Sequence, residues 1–137
     1  MKKKIAGIAL IILFAGAIGT WYYVFRYAKT HHRDVENETA IETTAGKLVR
    51  DFQTNETEAN KIYLQKVIQI KGEVLKTDKD QVGNVTVTLK SGDPFSNIFC
   101  TLKPGFKNNK KNSVIVIKGI CSGFLSDVVL YDGVIVK

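Results

Sequence analysis

Residues 66–74 read KVIQIKGEV, and their alternation decides the fold class. Ile68, Ile70, Gly72 and Val74 share one parity, while Gln69, Lys71 and Glu73 share the other. A period of two is the mark of a strand with one buried face. The same period returns downstream. Val85, Val87 and Leu89 alternate with Thr86, Thr88 and Lys90; Ile98, Cys100 and Leu102 alternate with Phe99 and Thr101; Ile115, Ile117, Gly119 and Cys121 alternate with Val116 and Lys118. Residues Val128 to Val136 supply a fifth run, interrupted at Asp132-Gly133. Between the runs lie TDKDQVGN (77–84), SGDP (91–94) and a lysine–asparagine loop, all of turn composition. Five short strands separated by turns predict a small barrel or sandwich. Gly72 and Gly119 favour the barrel, because glycine at an apolar-parity position signals a bend, a bulge or a close approach.

Upstream of Lys66 the period lengthens. Ala45, Leu48, Val49 and Phe52 fall at i, i+3, i+4 and i+7, one stripe of an amphipathic helix. Asn55-Glu56-Thr57-Glu58 then has the spacing of a capping box. A second short helix would turn Ala59, Ile62 and Tyr63 inward. Before these, His31 to Ile41 is polar without periodicity and reads as a linker.

Further upstream, 21 residues between Lys4 and Arg26 carry no charge. At about 1.5 Å per residue such a helix crosses a hydrocarbon core of about 30 Å. Trp21, Tyr22, Tyr23 and Phe25, followed by Arg26 and Lys29, resemble an interfacial aromatic belt with basic anchors. The rival is a cleaved signal peptide with Ala15-Gly16-Ala17 as its cleavage pattern. With no cysteine before Cys100, acylation at an N-terminal cysteine is not expected. Lys2-Lys3-Lys4 favour a cytoplasmic N-terminus and an exported C-terminal domain. The expected plan is a tail over 1–4, a transmembrane signal-anchor over 5–25, a linker over 26–41 and a β domain over 42–137, at a bacterial inner membrane.

The formal charge of +7 needs locating before it is given a meaning. Residues 1–30 hold five basic residues and no acid, whereas the remainder holds 15 basic against 13 acidic. The basic excess therefore flanks the apolar segment, and the β domain is nearly neutral. Polyanion binding does not follow from the net charge.

The succession GKLVRDFQTNETEANKIYLQKVIQIKGEV (46–74), NVTVTL (84–89), FCTL (99–102) and VIVIKGICSGFLSDVVL (114–130) resembles the tRNA-anti-like OB-fold proteins of bacteria. The resemblance spans about residues 42–137 and is most specific at the asparagine-acid-alanine stretch and at KGICSG (118–123). It implies a five-stranded OB barrel preceded by two short helices, on a small membrane-anchored or lipoprotein-like chain, and it implies no activity. The lysine–asparagine loop stands where many OB folds place a helix.

Motifs for catalysis are scarce. His31 and His32 are the only histidines, so no histidine-based triad can form within the β domain. Their neighbours Asp34 and Glu36 make a metal site conceivable, but a flexible acidic linker is ordinarily just solvated; no metal or cofactor is expected. No glycine-rich phosphate loop, HExxH or nucleophile elbow occurs. Cys100 and Cys121 are either one disulfide or two buried thiols. The strongest candidate is a surface: Phe95, Phe99 and Phe106 interleave with Lys90, Lys103, Lys107, Lys110 and Lys111. OB folds stack ligands on aromatics of the second and third strands within a basic groove. Alternatively Phe95 and Phe106 close the barrel ends and the lysines solubilise a loop. The expected function is a non-enzymatic, membrane-tethered extracytoplasmic binding module for a protein or polymeric ligand; the alternative is a cytoplasmic module for single-stranded nucleic acid.

Overall fold

The computed structural model describes residues 2–27, 33–106 and 111–136. The chain divides into two compact units, Met1–Arg33 and Asp34–Lys137. In the first, helix α1 (Lys2–Tyr22) continues into a π-helical turn over Tyr23–Tyr27. Its Ile5–Arg26 portion has a mean hydropathy of 2.0 and is exposed along its whole length. Length and composition make it a candidate membrane span. The ring pair of Trp21 and Phe25, with centroids 5.7 Å apart, lies near its C-terminal end.

The second unit is mainly β. Strand β1 (Ile41–Thr44) is followed by helices α2 (Ala45–Thr54) and α3 (Glu56–Tyr63), then by β2 (Val67–Lys79), β3 (Val85–Leu89), β4 (Ile98–Leu102), β5 (Val114–Phe124) and β6 (Val128–Val136). The order β2-β3-β4-β6-β5 closes on itself through β2–β5, with the β4–β6 pair parallel and the other barrel pairs antiparallel. This is the five-stranded OB barrel. Within the barrel β2 serves two neighbours: Val67–Glu73 pairs with β5, and Val74–Lys79 pairs with β3 with a bulge at Leu75.

The inward parity is the one the alternation predicts. Ile68, Ile70, Val74, Val87, Leu89, Ile98, Cys100, Leu102, Ile117, Cys121 and Leu130 share one core. Close approach explains both in-strand glycines. A Cβ on Gly72 would stand 3.2 Å from the Leu89 side chain, and one on Gly119 would stand 3.2 Å from that of Leu130. Gly119 also marks a shift of the β5–β6 register. The interruption expected at Asp132-Gly133 is a bulge inside a continuous strand, with Asp132 at φ 51°.

Helices α2 and α3 pack their buried faces into the barrel core. Thr44 caps α2, its hydroxyl accepting from the Lys47 N–H at 3.3 Å, and Asn55 caps α3 by accepting from the Glu58 N–H at 3.2 Å. The predicted stripe Ala45, Leu48, Val49 and Phe52 is buried, and Phe52 stacks on Phe124 with centroids 5.9 Å apart. In α3, Ala59 and Tyr63 turn inward, but Ile62 is 47 % exposed, contrary to expectation. Ile62 stands about 100° around the helix from Tyr63 and lines an open cleft with Lys47, Arg50 and Glu58 instead.

The linker also departs from expectation. Residues 34–40 lie against the barrel as a strap. Val35 is fully buried with Val67, Ile120 and Val134, and Ala40 packs beside them. The Lys118 ammonium donates to the Glu36 and Glu38 carbonyls at 3.0 Å each. Strand β1 then pairs in parallel with the N-terminal half of β2, Ile41 opposite Ile68.

Candidate ligand-binding face

Register identifies what the outer surface of β3–β4 presents. Thr88 lies opposite Phe99 and Thr86 opposite Thr101. Across the flanking strands, Lys76 stands opposite Thr88, Asp78 opposite Thr86, and Val129 opposite Phe99. The outcome is a row Lys76–Thr88–Phe99–Val129 across four strands, with small hydroxyl residues flanking one aromatic. The two β3 threonines are almost covered, whereas Phe99 and Thr101 are half-exposed.

The expected site residues separate into distinct places. Lys90 leaves the end of β3 and donates to Glu73 at 2.6 Å and to the Asn112 side chain at 3.4 Å. Lys111 is exposed beside Asn112, whose N–H donates to the Val74 carbonyl. Lys103 follows β4, where its N–H donates to the Gly133 carbonyl; its charge also helps hold the Asp34 carboxyl below the ordinary value, after the larger hydrogen bonds from Asn37. Lys107 and Lys110 lie outside the described residues, as do His31 and His32. Phe95 projects from the β3–β4 turn and is 87 % exposed. Phe106 instead packs against the barrel beside Glu36 and Val134–Val136. Of the two phenylalanines expected either on the face or at the barrel ends, Phe106 is folded inward and Phe95 is fully presented.

The turn that carries Phe95 is built by local polar contacts. Asp93 accepts from the Phe95 and Ser96 N–H groups at 2.8 Å each, bonds that hold its carboxyl below the ordinary value. Asp127 on the β5–β6 turn accepts from the Asn97 N–H at 2.7 Å, and the Val128 N–H donates to the Asn97 carbonyl at 3.0 Å. The two turns are thereby joined. Sequence spacing could not have found this pairing, which spans 30 residues.

The other polar groups have structural work. Tyr63 donates to Asp51 at 2.7 Å and Lys47 pairs with Asp51 at 2.5 Å, clamping α2 to α3. Burial pushes the Asp51 carboxyl up, but the Lys47 and Tyr63 hydrogen bonds outweigh it and leave it below the ordinary value. Cys100 and Cys121 are free, buried thiols. Both lie opposite Leu130, one on each side of β6. Two strand spacings separate them by roughly 9–10 Å, beyond the Cα separation of about 7 Å that a disulfide spans. The disulfide alternative therefore does not fit this barrel. Burial pushes the Cys100 thiol up to about 12, the setting of an inert thiol. Among the described residues, no group of three or more His, Cys, Asp or Glu converges as a metal site.

Among solved structures, a "putative nucleic acid-binding lipoprotein" from Klebsiella pneumoniae subsp. pneumoniae MGH 78578 is 18 % identical with a TM-score of 0.54, covering 70 % of this chain and 92 % of its own. At that identity the likeness shows the fold. A "putative aspartyl-tRNA synthetase" from Leishmania major Friedlin matches at 12 % identity and a TM-score of 0.45, over 73 % of this chain and 21 % of that one. No curated protein gives a significant match. The family model tRNA_anti-like matches residues 1–133, and the chain accordingly belongs to the tRNA_anti-like family.

Proposed function

We propose that this protein is a non-enzymatic, membrane-tethered binding module whose barrel lies outside the cytoplasm and engages a protein or polymeric ligand on the β3–β4 face. The observation that carries this reading is Phe99, half-exposed in the row Lys76–Thr88–Phe99–Val129 at the position where OB barrels receive ligands. The apolar Ile5–Arg26 helix, preceded by Lys2-Lys3-Lys4, supports the tether and its orientation. The binding role rather than catalysis is favoured because the most connected titratable cluster, Lys47–Asp51–Tyr63, clamps two helices together.

Two measurements test the reading. A photo-crosslinking residue at position 99 of the full chain, in intact cells, is expected to give adducts that one at exposed Val82 does not; equal yields overturn the face. A reporter fused after Lys137 is expected to be active only if exported. Activity confined to the cytoplasm would favour the second reading, single-stranded nucleic acid stacked on Phe99. The nucleic acid-binding description of the Klebsiella protein keeps that reading in view.

A further inference from the structure

The β3–β4 face does not stop at β6. Val129 borders Phe99 on one side and, on the other, lines a groove of about 330 Å³ with Leu64, Gly123, Phe124 and Leu125. The groove runs between α3 and the β5–β6 turn. Gly123 leaves its floor open, at a φ of 123° that side chains rarely adopt, and a Cβ there would lie 3.8 Å from Leu64 Cδ1. Leu125 at the rim is 82 % exposed. Its backbone is tied into the turn: its N–H donates to the Asp127 carbonyl at 3.0 Å, and Asp127 in turn holds the β3–β4 turn through Asn97. The exposed leucine and the apolar lining beside it form one contiguous apolar patch, the kind of surface that marks an interaction site.

Charge narrows what covers it. Among the described residues, the one ionisable group lining the groove is Glu56, on the first turn of α3, with no base beside it. Among the described residues of the adjoining face, Lys90 is paired with Glu73, Lys76 lies 3.7 Å from Asp78, and Lys111 is exposed beyond the end of β3. A phosphate polymer needs a track of uncompensated cations, because its affinity comes from charge neutralisation. The complementary occupant of an apolar groove with an acidic rim is an apolar side chain next to a cationic one. We infer that the groove between α3 and the β5–β6 turn receives an extended polypeptide segment of a partner protein, an apolar residue seated on Phe124, Leu125 and Val129 and a neighbouring lysine or arginine against Glu56. This names the ligand class for the binding role proposed above and extends its site past β6.

The test uses the full chain in lipid nanodiscs against a random dodecapeptide phage library, with the enriched sequence then synthesised as a labelled peptide. Enrichment of an apolar residue adjacent to Lys or Arg is expected. Leu125→Asp and Glu56→Gln should each weaken the labelled peptide by about tenfold or more, with the unfolding midpoint unchanged in Leu125→Asp because that side chain is exposed. No enrichment over a Leu125→Asp control, or enrichment without a basic residue, overturns the inference. Labelled oligothymidylate, bound in a Phe99-dependent and Leu125-independent way, overturns it in favour of nucleic acid and leaves the β3–β4 face standing. Peptide binding lost with Leu125→Asp but unaffected by Phe99→Ala retains the groove and removes the face.

Discussion

Two outer surfaces of the same barrel have opposite fates. On the β2–β5–β6 side, the outward parity carries Val67, Ile120 and Val134, and the strap from Asp34 to Ala40 seals them beneath Val35. On the β3–β4 side, it carries Thr86, Thr88, Phe99 and Thr101, and Phe99 and Thr101 stay half in solvent. The β5–β6 ladder shifts register at two places and the β3–β4 ladder at none, but what decides the cover is side-chain chemistry. Apolar groups facing outward gain by being covered, at about 25 cal/mol per Å². On the other side Thr86 and Thr88 are themselves covered, and Phe99 and Thr101 are left partly open. The covered side therefore contributes to stability, and the half-exposed side is available for a ligand.

Mutations can break this contrast. The largest effect is expected from Val35→Asp, which puts an unpaired carboxylate under the strap and should cost about 3 kcal/mol in chemical denaturation. A change below a third of that would mean the strap is not a part of the fold. Lys118→Met keeps the aliphatic stem but removes both carbonyl contacts, and about 1.5 kcal/mol should be lost.

An acid titration sharpens the contrast by acting on neither side. The folded Asp51 carboxyl sits below its ordinary value of 3.8, so its contribution is complete above that value and is lost as pH falls through the lower folded one. The unfolding midpoint should therefore drop on acidification below about pH 4. Asp51→Asn should remove part of that drop, equally in the wild-type and Lys118→Met backgrounds. The smallest effect is expected from Thr101→Ala, within about 0.5 kcal/mol. If it matched Lys118→Met, the two faces would not differ in the way proposed.

Much of the barrel is legible because the core parity repeats locally. Ile68, Ile70, Val87, Leu89, Ile98 and Ile117 each announce their side through their neighbours at i±2, and Ala45, Leu48, Val49 and Phe52 do so at helical spacing. The strap is not legible. Val35 is a single apolar residue in a polar run, and its partners Val67, Ile120 and Val134 are remote in sequence. Strand β1 is hidden for the same reason, since four residues paired to β2 carry almost no period of their own. For the candidate site, parity places Phe99 on the outer face, but spacing cannot say that Lys90 meets Glu73 or that Phe106 folds inward while Phe95 does not. Those outcomes depend on the paths of loops, which follow tertiary contacts instead of periodicity.

The strap has a mechanical consequence. Chain order places Val35 and the two carbonyls held by Lys118 ahead of β1 and of every barrel ladder. Tension arriving from the N-terminal side of Asp34 meets these contacts first. One buried valine and two side-chain contacts from Lys118 are a weaker hold than the ladders of β2 to β6, so they give way first and lengthen the chain ahead of β1. The strap is a strain relief, sparing the closed barrel when the chain ahead of Asp34 is pulled.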